Sequence, residues 1–216
     1  MKTAQDLAAV IEHALLRPDA TRQDIERHCA EARQHGFYGV CVHGSRVALA
    51  CHCLVDSIVK VVAVAGFPSG AEDSDVKRFE TEVAVDNGAQ EIDVVVNIGW
   101  LKEGNDAAVL RELRDVAEAA EERPVKVILE TGWLTPEEIQ RACGLVRESG
   151  ATFVKTSTGY GPRGTIVEDV RWLRHCVGPE FGVQAAGSIH DASLAWALLE
   201  AGADRLGTSA AVEIIR

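Results

Sequence analysis

The chain has 216 residues, 47% of them hydrophobic and 25% charged, with a formal net charge of −11. That length favours one domain with a sizeable core, and the acidity argues against a nucleic-acid partner, whose phosphates need a basic face. A small anionic substrate stays open, because it needs only a local set of donors. No secretory leader, membrane-length apolar run or C-x-x-C pair is seen, so a reduced, cytoplasmic protein with no membrane partner is the expectation.

In chain order, a helical pattern over Ala4–Glu12 leads into a short strand, His13–Leu16. Helices and strands then alternate: helix Thr21–His35, strand Gly39–His43, helix Ser45–Asp56, strand Val61–Gly66, helix Ser74–Asn87 and strand Glu91–Asn97. Helix Asp106–Glu121, strand Val125–Glu130, helix Pro136–Ser149 and strand Phe153–Ser157 follow. Helix Ile166–Cys176, strand Gly182–Gly187, helix Ala192–Glu200 and strand Arg205–Thr208 complete the run. Thr135-Pro136 reads as a cap followed by proline at the first helical position, while Gly88, Gly150 and Gly202 stand just past helix ends. Eight β-branched runs separated by helices predict an α/β fold, a (β/α)8 TIM barrel with a short N-terminal helix, as a single domain over 1–216. An open doubly wound sheet is the runner-up, weakened by the lack of G-x-G-x-x-G after any strand. Cys51-His52-Cys53 lies on a helix, where residues two apart face differently, so no metal is expected there.

Strands of a parallel barrel are covered on both faces and should be apolar throughout, which makes mid-strand charges informative. Asp93, Lys126, Glu130 and Lys155 are such residues. Alternation puts Asp93 with Asn97, Lys126 with Glu130, and Lys155 with Ser157 on common faces. Pointing inward, they would place two lysines and a carboxylate near the C-terminal mouth, where active sites of this fold sit. A buried ion-pair network that merely fixes the core is the alternative, but such networks contribute little net stability. Paired lysines suit Schiff-base chemistry, in which a free amine attacks a carbonyl and the resulting iminium withdraws electrons from a C–C bond. An ordinary lysine pKa is about 10.4, and lowering it to about 7 costs roughly 4–5 kcal/mol. Three glycine-bearing turns end the last strands: Thr156-Ser-Thr-Gly159, Ala186-Gly187-Ser188 and Gly207-Thr-Ser209. Their backbone N–H groups suit an anion such as a phosphate.

Phe153-Val-Lys-Thr-Ser-Thr-Gly159 resembles the Schiff-base strand of the deoxyribose-phosphate aldolase family. Val125-Lys-Val-Ile-Leu-Glu-Thr-Gly132, Glu91-Ile-Asp-Val-Val-Val-Asn-Ile-Gly99 and Gly66-Phe-Pro-Ser-Gly70 are also similar to family patterns, so the resemblance spans nearly the whole chain. It implies Lys155 as the nucleophile, Asp93 and Lys126 as its catalytic neighbours, and Cys41 near the substrate. Glu12 on the first strand and Thr156, Gly159, Gly187, Ser188, Gly207 and Ser209 in the last turns are the candidate substrate contacts, and Gln184 is a further candidate catalytic residue. The implied reaction is reversible cleavage of 2-deoxyribose 5-phosphate to glyceraldehyde 3-phosphate and acetaldehyde, with no cofactor and no metal. The partner is then a small aldehyde or sugar phosphate, and a homo-oligomer is left open. The chain departs from the family pattern at several points. Gln184 stands where the family carries a second catalytic lysine, Ser188 replaces a glycine, and Ala210 follows Ser209 in place of a second serine. Glu12 and Ala14 replace Asp and Thr, and His43-Gly44 replaces Asn-Pro. Two other readings follow from these departures: a diverged Schiff-base lyase acting on another carbonyl compound, or a catalytically silent relative that binds a sugar phosphate.

Overall fold

In the computed structural model, which describes residues 3–216, eight parallel strands close into a barrel in sequence order. They are β1 (Ile11–Leu15), β2 (Gly39–His43), β3 (Lys60–Ala65), β4 (Glu91–Val95), β5 (Val125–Ile128), β6 (Phe153–Lys155), β7 (Gly182–Ala186) and β8 (Arg205–Thr208). The helices around them are α1 (Ala4–Ala8), α2 (Arg22–His35), α3 (Val47–Cys53), α4 (Ser74–Asp86), α5 (Ile98–Glu103), α6 (Asp106–Ala119), α7 (Pro136–Glu148), α8 (Val167–Val177), α9 (Ala192–Glu200) and α10 (Ala211–Ile214). The expected barrel is thus the observed one. Among the described residues no helix is long and apolar enough to cross a membrane.

Outward-facing strand residues such as Val40, Val42, Ala63, Ile92, Val94, Val127, Val154 and Leu206 pack under the helices as the main core. The barrel interior divides in two. Cys41, Val62 and Val64, with Ala14, Leu16 and Phe67, make an apolar half. Inward residues of β4 to β8 and Glu12 of β1 make a charged half, fixed by the register pairs Asp93 with Lys126, Lys155 with Gln184, and Glu12 with Gly207.

Several expected boundaries shift for local reasons. Helix α1 ends at Ala8 rather than Glu12: a Thr3–Asp6 capping box starts it, and the chain pairs with β8 from Ile11 onward. Glu12 is therefore a strand residue with its side chain inside the barrel. Strand β5 stops at Ile128, because Glu130 takes a left-handed conformation with φ 55°. Strands β3 and β7 end where Gly66 (φ 59°) and Gly187 (φ 94°) turn the chain outward. Strand β4 stops at Val95, and Asn97, expected to share the inward face of Asp93, instead caps α5 by accepting from the Trp100 N–H. Helices α5 and α10 were not anticipated, since both are a turn or so long and carry no periodic pattern. The expected helix from Ser45 begins as a 3-10 turn, Gly44–Arg46, before α3; Cys51 on it donates to the Gly88 carbonyl at 3.2 Å.

One buried tie places the β3 loop. The Lys77 ammonium on α4, fully buried, donates to the carbonyls of Gly70 (2.7 Å) and Val95 (2.9 Å) and to Glu112 of α6 (2.9 Å). It joins the Gly66–Gly70 loop, which carries Phe67, to the end of β4, which carries Asp93.

Candidate active site

Each inward charge has a partner inside the barrel. At the floor, the Arg205 guanidinium lies over the rings of Tyr38 (3.7 Å) and Phe153 (4.8 Å) and pairs with Glu91 at 2.7 Å. Lys126 sits above it, within 2.7 Å of Asp93, 2.9 Å of Glu91 and 3.2 Å of Glu12. Lys155 comes next and donates to the second oxygen of Asp93. Three cations face three carboxylates, so this dry cluster is formally neutral. That balance is what lets it stay buried, since an unpaired ion there would be costly.

Asp93 is the hinge of the arrangement, with one oxygen on each lysine and the Cys41 thiol donating to it at 3.8 Å. Burial works against its ionisation, but the two ammonium groups outweigh burial and hold the carboxyl below its usual range. For Lys155, burial favours the neutral amine, yet the charge of Asp93, helped by Glu12, prevails and raises its pKa. Lys126 is raised further by its three carboxylates. Burial pushes the Cys41 thiol up, so it stays protonated.

Gln184 occupies the neighbouring register position to Lys155 on β7. It is fully buried, its amide nitrogen donating to Glu12 at 2.7 Å while its Oε1 has no partner. A Cβ added at Gly207 would lie 3.3 Å from that amide nitrogen and 3.5 Å from the Lys155 Nζ, so the two side chains converge under β8.

A cavity of about 410 Å³ opens above this cluster at the C-terminal mouth. Lys155, Cys41, Gly159, Gly187, Ser188, Gly207 and Ser209 line it, so the structure brings these expected residues together. Asp93, Lys126, Gln184 and Glu12 lie beneath, off the wall. Thr156 is off the wall as well: its hydroxyl donates to the Ala186 carbonyl and accepts from the Ala186 N–H, both at 2.9 Å, sewing β6 to β7. Glu130, expected to face inward, instead accepts from the Thr158 N–H at 3.0 Å and holds the β6 loop.

Residues that sequence reasoning passed over complete the mouth. Tyr160 donates to the Leu16 carbonyl at 3.1 Å and meets Phe67 edge-on at 5.6 Å, closing one side. The Thr131 hydroxyl donates to Asp169 at 2.9 Å, and Arg163 pairs with the same carboxylate. Of these only Tyr160 had a visible cue, its place directly after the lysine turn. A larger cavity of about 630 Å³ adjoins the first beyond Leu15, Arg17 and Phe67. It reaches none of the buried charges, so the chemistry belongs to the smaller one.

A barrel with a cavity over a buried lysine–carboxylate–lysine chain is the architecture of a Schiff-base enzyme. The chain matches the model of the DeoC/LacD family aldolases over residues 7–206, and it belongs to that family. It is 50% identical over 211 residues to a deoxyribose-phosphate aldolase of Alkaliphilus oremlandii, covering 97% of this chain and 95% of the relative. It is likewise 50% identical over 214 residues to one of Thermococcus gammatolerans, with coverages of 97% and 95%. A deoxyribose phosphate aldolase from Aeropyrum pernix, described as a unique tetramer, superimposes with a TM-score of 0.93 at 32% identity, covering 100% of this chain and 92% of that one.

Proposed function

We propose that the protein is a class I aldolase that cleaves 2-deoxyribose 5-phosphate reversibly to glyceraldehyde 3-phosphate and acetaldehyde, with Lys155 as the Schiff-base nucleophile. The observation that carries this reading is the Lys155 amine at the cavity floor, in contact with Asp93. The amine adds to the substrate's C1 aldehyde and water leaves, giving an iminium. Loss of the C3 hydroxyl proton then breaks the C2–C3 bond, and its electron pair flows into the iminium to give an enamine. Protonation at C2 and hydrolysis release acetaldehyde and free the amine. Asp93, beside the nitrogen, would steer these proton transfers, directly or through water. The test is incubation with 2-deoxyribose 5-phosphate and detection of both aldehydes. Formation of neither product, by protein that still forms the imine, would overturn the substrate assignment.

Gln184 favours a second reading, a Schiff-base lyase redirected to another carbonyl compound. With no cation at 184, burial and Lys126 are outweighed by the charge of Asp93, so Lys155 holds its proton and its attack should speed up as pH rises. Gln184→Lys would place an ammonium next to Lys155 and Glu12. A like charge about 4 Å away is worth up to ~4 kcal/mol at an effective dielectric near 20. The variant should cleave deoxyribose phosphate faster and shift the acid limb of its pH–rate profile downward by about one unit or more. If it instead loses every Schiff-base activity, the glutamine is fitted to a different substrate and the second reading prevails.

The phosphate end is also altered. Ser188 holds φ 59°, a conformation that favours glycine, and its side chain fills the space beside Gly164. Ser209 is followed by Ala210, so one hydroxyl donor is missing. A lost donor to a charged group is worth about 1.5–3 kcal/mol. The ratio of kcat/KM for 2-deoxyribose 5-phosphate over 2-deoxyribose should therefore stay below about 10³, equivalent to some 4 kcal/mol. A larger ratio refutes this weakening.

Self-association is part of the same proposal. Val76, Phe79 and Val83 are exposed along one face of α4 and offer the apolar surface for a homo-oligomer.

A further inference from the structure

On the outside of β1, away from the catalytic cavity, a second cluster of donor side chains is buried under α2. His13 points outward from β1, alternating with the inward Glu12. His28 and Glu31 are three residues apart on α2 and so share the face that covers it. The rings of His13 and His28 stack with centroids 3.8 Å apart, and Phe37 packs against His13 at 5.3 Å. Both histidines are only 4% exposed, whereas the Glu31 side chain, at 34%, reaches the surface.

We propose that His13, His28 and Glu31 bind a divalent transition-metal ion of the Zn2+ type, clamping α2 to β1, with an open position toward solvent beside Glu31. One ligand atom from each residue lies within 4.8 Å of the other two. The His13 Nε2 and Glu31 Oε2 are already 3.1 Å apart, close to the spacing of two donors on a tetrahedral ion with bonds of about 2.0–2.1 Å. The His28 Nε2 lies 3.0 Å from the His13 carbonyl oxygen. Donation of its N–H there is the outer contact that metal-bound imidazoles usually make, and it leaves the Nδ1 bare as a ligand. Two imidazoles and one carboxylate suit zinc and its neighbours rather than calcium or magnesium, which prefer oxygen donors. Closing the site requires one ring to turn so that both lone pairs meet the ion. This ion would lie on the far side of β1 from Lys155 and is separate from the Schiff-base chemistry, for which no metal was expected.

The test is titration of chelator-treated full-length protein with Zn2+ by calorimetry, then with Co2+ by absorption. The expected result is one equivalent bound in the micromolar range, a melting midpoint that rises with Zn2+ by mass action, and a Co2+ spectrum of nitrogen and oxygen ligation. His28→Leu and, independently, Glu31→Gln should weaken binding by about tenfold or more while remaining folded without metal. Cys51→Ser/Cys53→Ser should bind as the parent does. No saturable Zn2+ uptake, undiminished uptake in both His28→Leu and Glu31→Gln, or a thiolate charge-transfer band with Co2+ would each overturn the site.

Discussion

Lys155→Ala should abolish both imine formation and aldol turnover, the largest effect of any single substitution in this protein. Among the described residues Lys155 is the one lysine that lines the cavity. Lys126, the other lysine inside the barrel, is locked among Asp93, Glu91 and Glu12 with its pKa raised well above the ordinary value, and it does not reach the cavity wall. It therefore cannot substitute as nucleophile. Removing Lys155 also leaves Asp93 with only Lys126 and gives the cluster one excess negative charge. Truncating one member of a buried ion pair typically costs about 3–5 kcal/mol, so the midpoint of thermal unfolding should fall as well. Lys155→Met, which keeps the bulk of the chain, serves as the check that activity is lost from folded protein. Turnover in folded Lys155→Met above about 1% of the parent, a loss of less than ~2.7 kcal/mol of transition-state stabilisation, would contradict the assignment.

Asp93→Asn should lower turnover by about 10²-fold or more, the range for a positioned acid–base group. The sign of the accompanying pH effect separates catalysis from mere support. Asp93 is the main charge raising the Lys155 pKa against the opposing effect of burial. Without that charge the pKa falls, so the free amine is present at lower pH. Imine formation should then persist and its acid limb should move downward, while the proton transfers around C–C cleavage slow. Because two buried ammonium groups lose their shared carboxylate, the variant should also melt earlier. A fall in melting midpoint with unchanged turnover and an unmoved pH profile would make Asp93 a structural residue only.

The charged strand residues were legible because a parallel barrel has no exposed strand face: Asp93, Lys126 and Lys155 had to be inside, and alternation put them together. The same parity rule failed at Glu130 and Asn97. Both lie just past the strand ends, where a left-handed turn and a helix cap redirect the side chain. Glu12 fits the leading helix by sequence, because Ala4–Ala8 and the residues after it are all compatible with helical periodicity; the pairing of Ile11 with β8 overrides it. The Lys77–Glu112 tie was hidden for a different reason. Each residue looks like an ordinary charge on an amphipathic helix, and only the packing of α4 on α6 under the Gly66–Gly70 loop buries both. Arg205, which opens a strand, gave no sign that it would be stacked on Tyr38 and Phe153 at the barrel floor. His28 likewise sits at a core position of α2 that a bulky apolar residue would ordinarily fill.

The central claim is that Lys155 forms an imine with a carbonyl substrate. It is tested most directly by treating the protein with acetaldehyde and borohydride, then mapping the modified peptide by mass spectrometry. Reduction of the imine leaves an N-ethyl lysine, and the account predicts it at Lys155, in the peptide containing Phe153-Val-Lys-Thr-Ser, with no ethylation at Lys126. An unmodified Lys155 under conditions where the enzyme turns over, or ethylation at another lysine that Lys155→Met does not abolish, would contradict it.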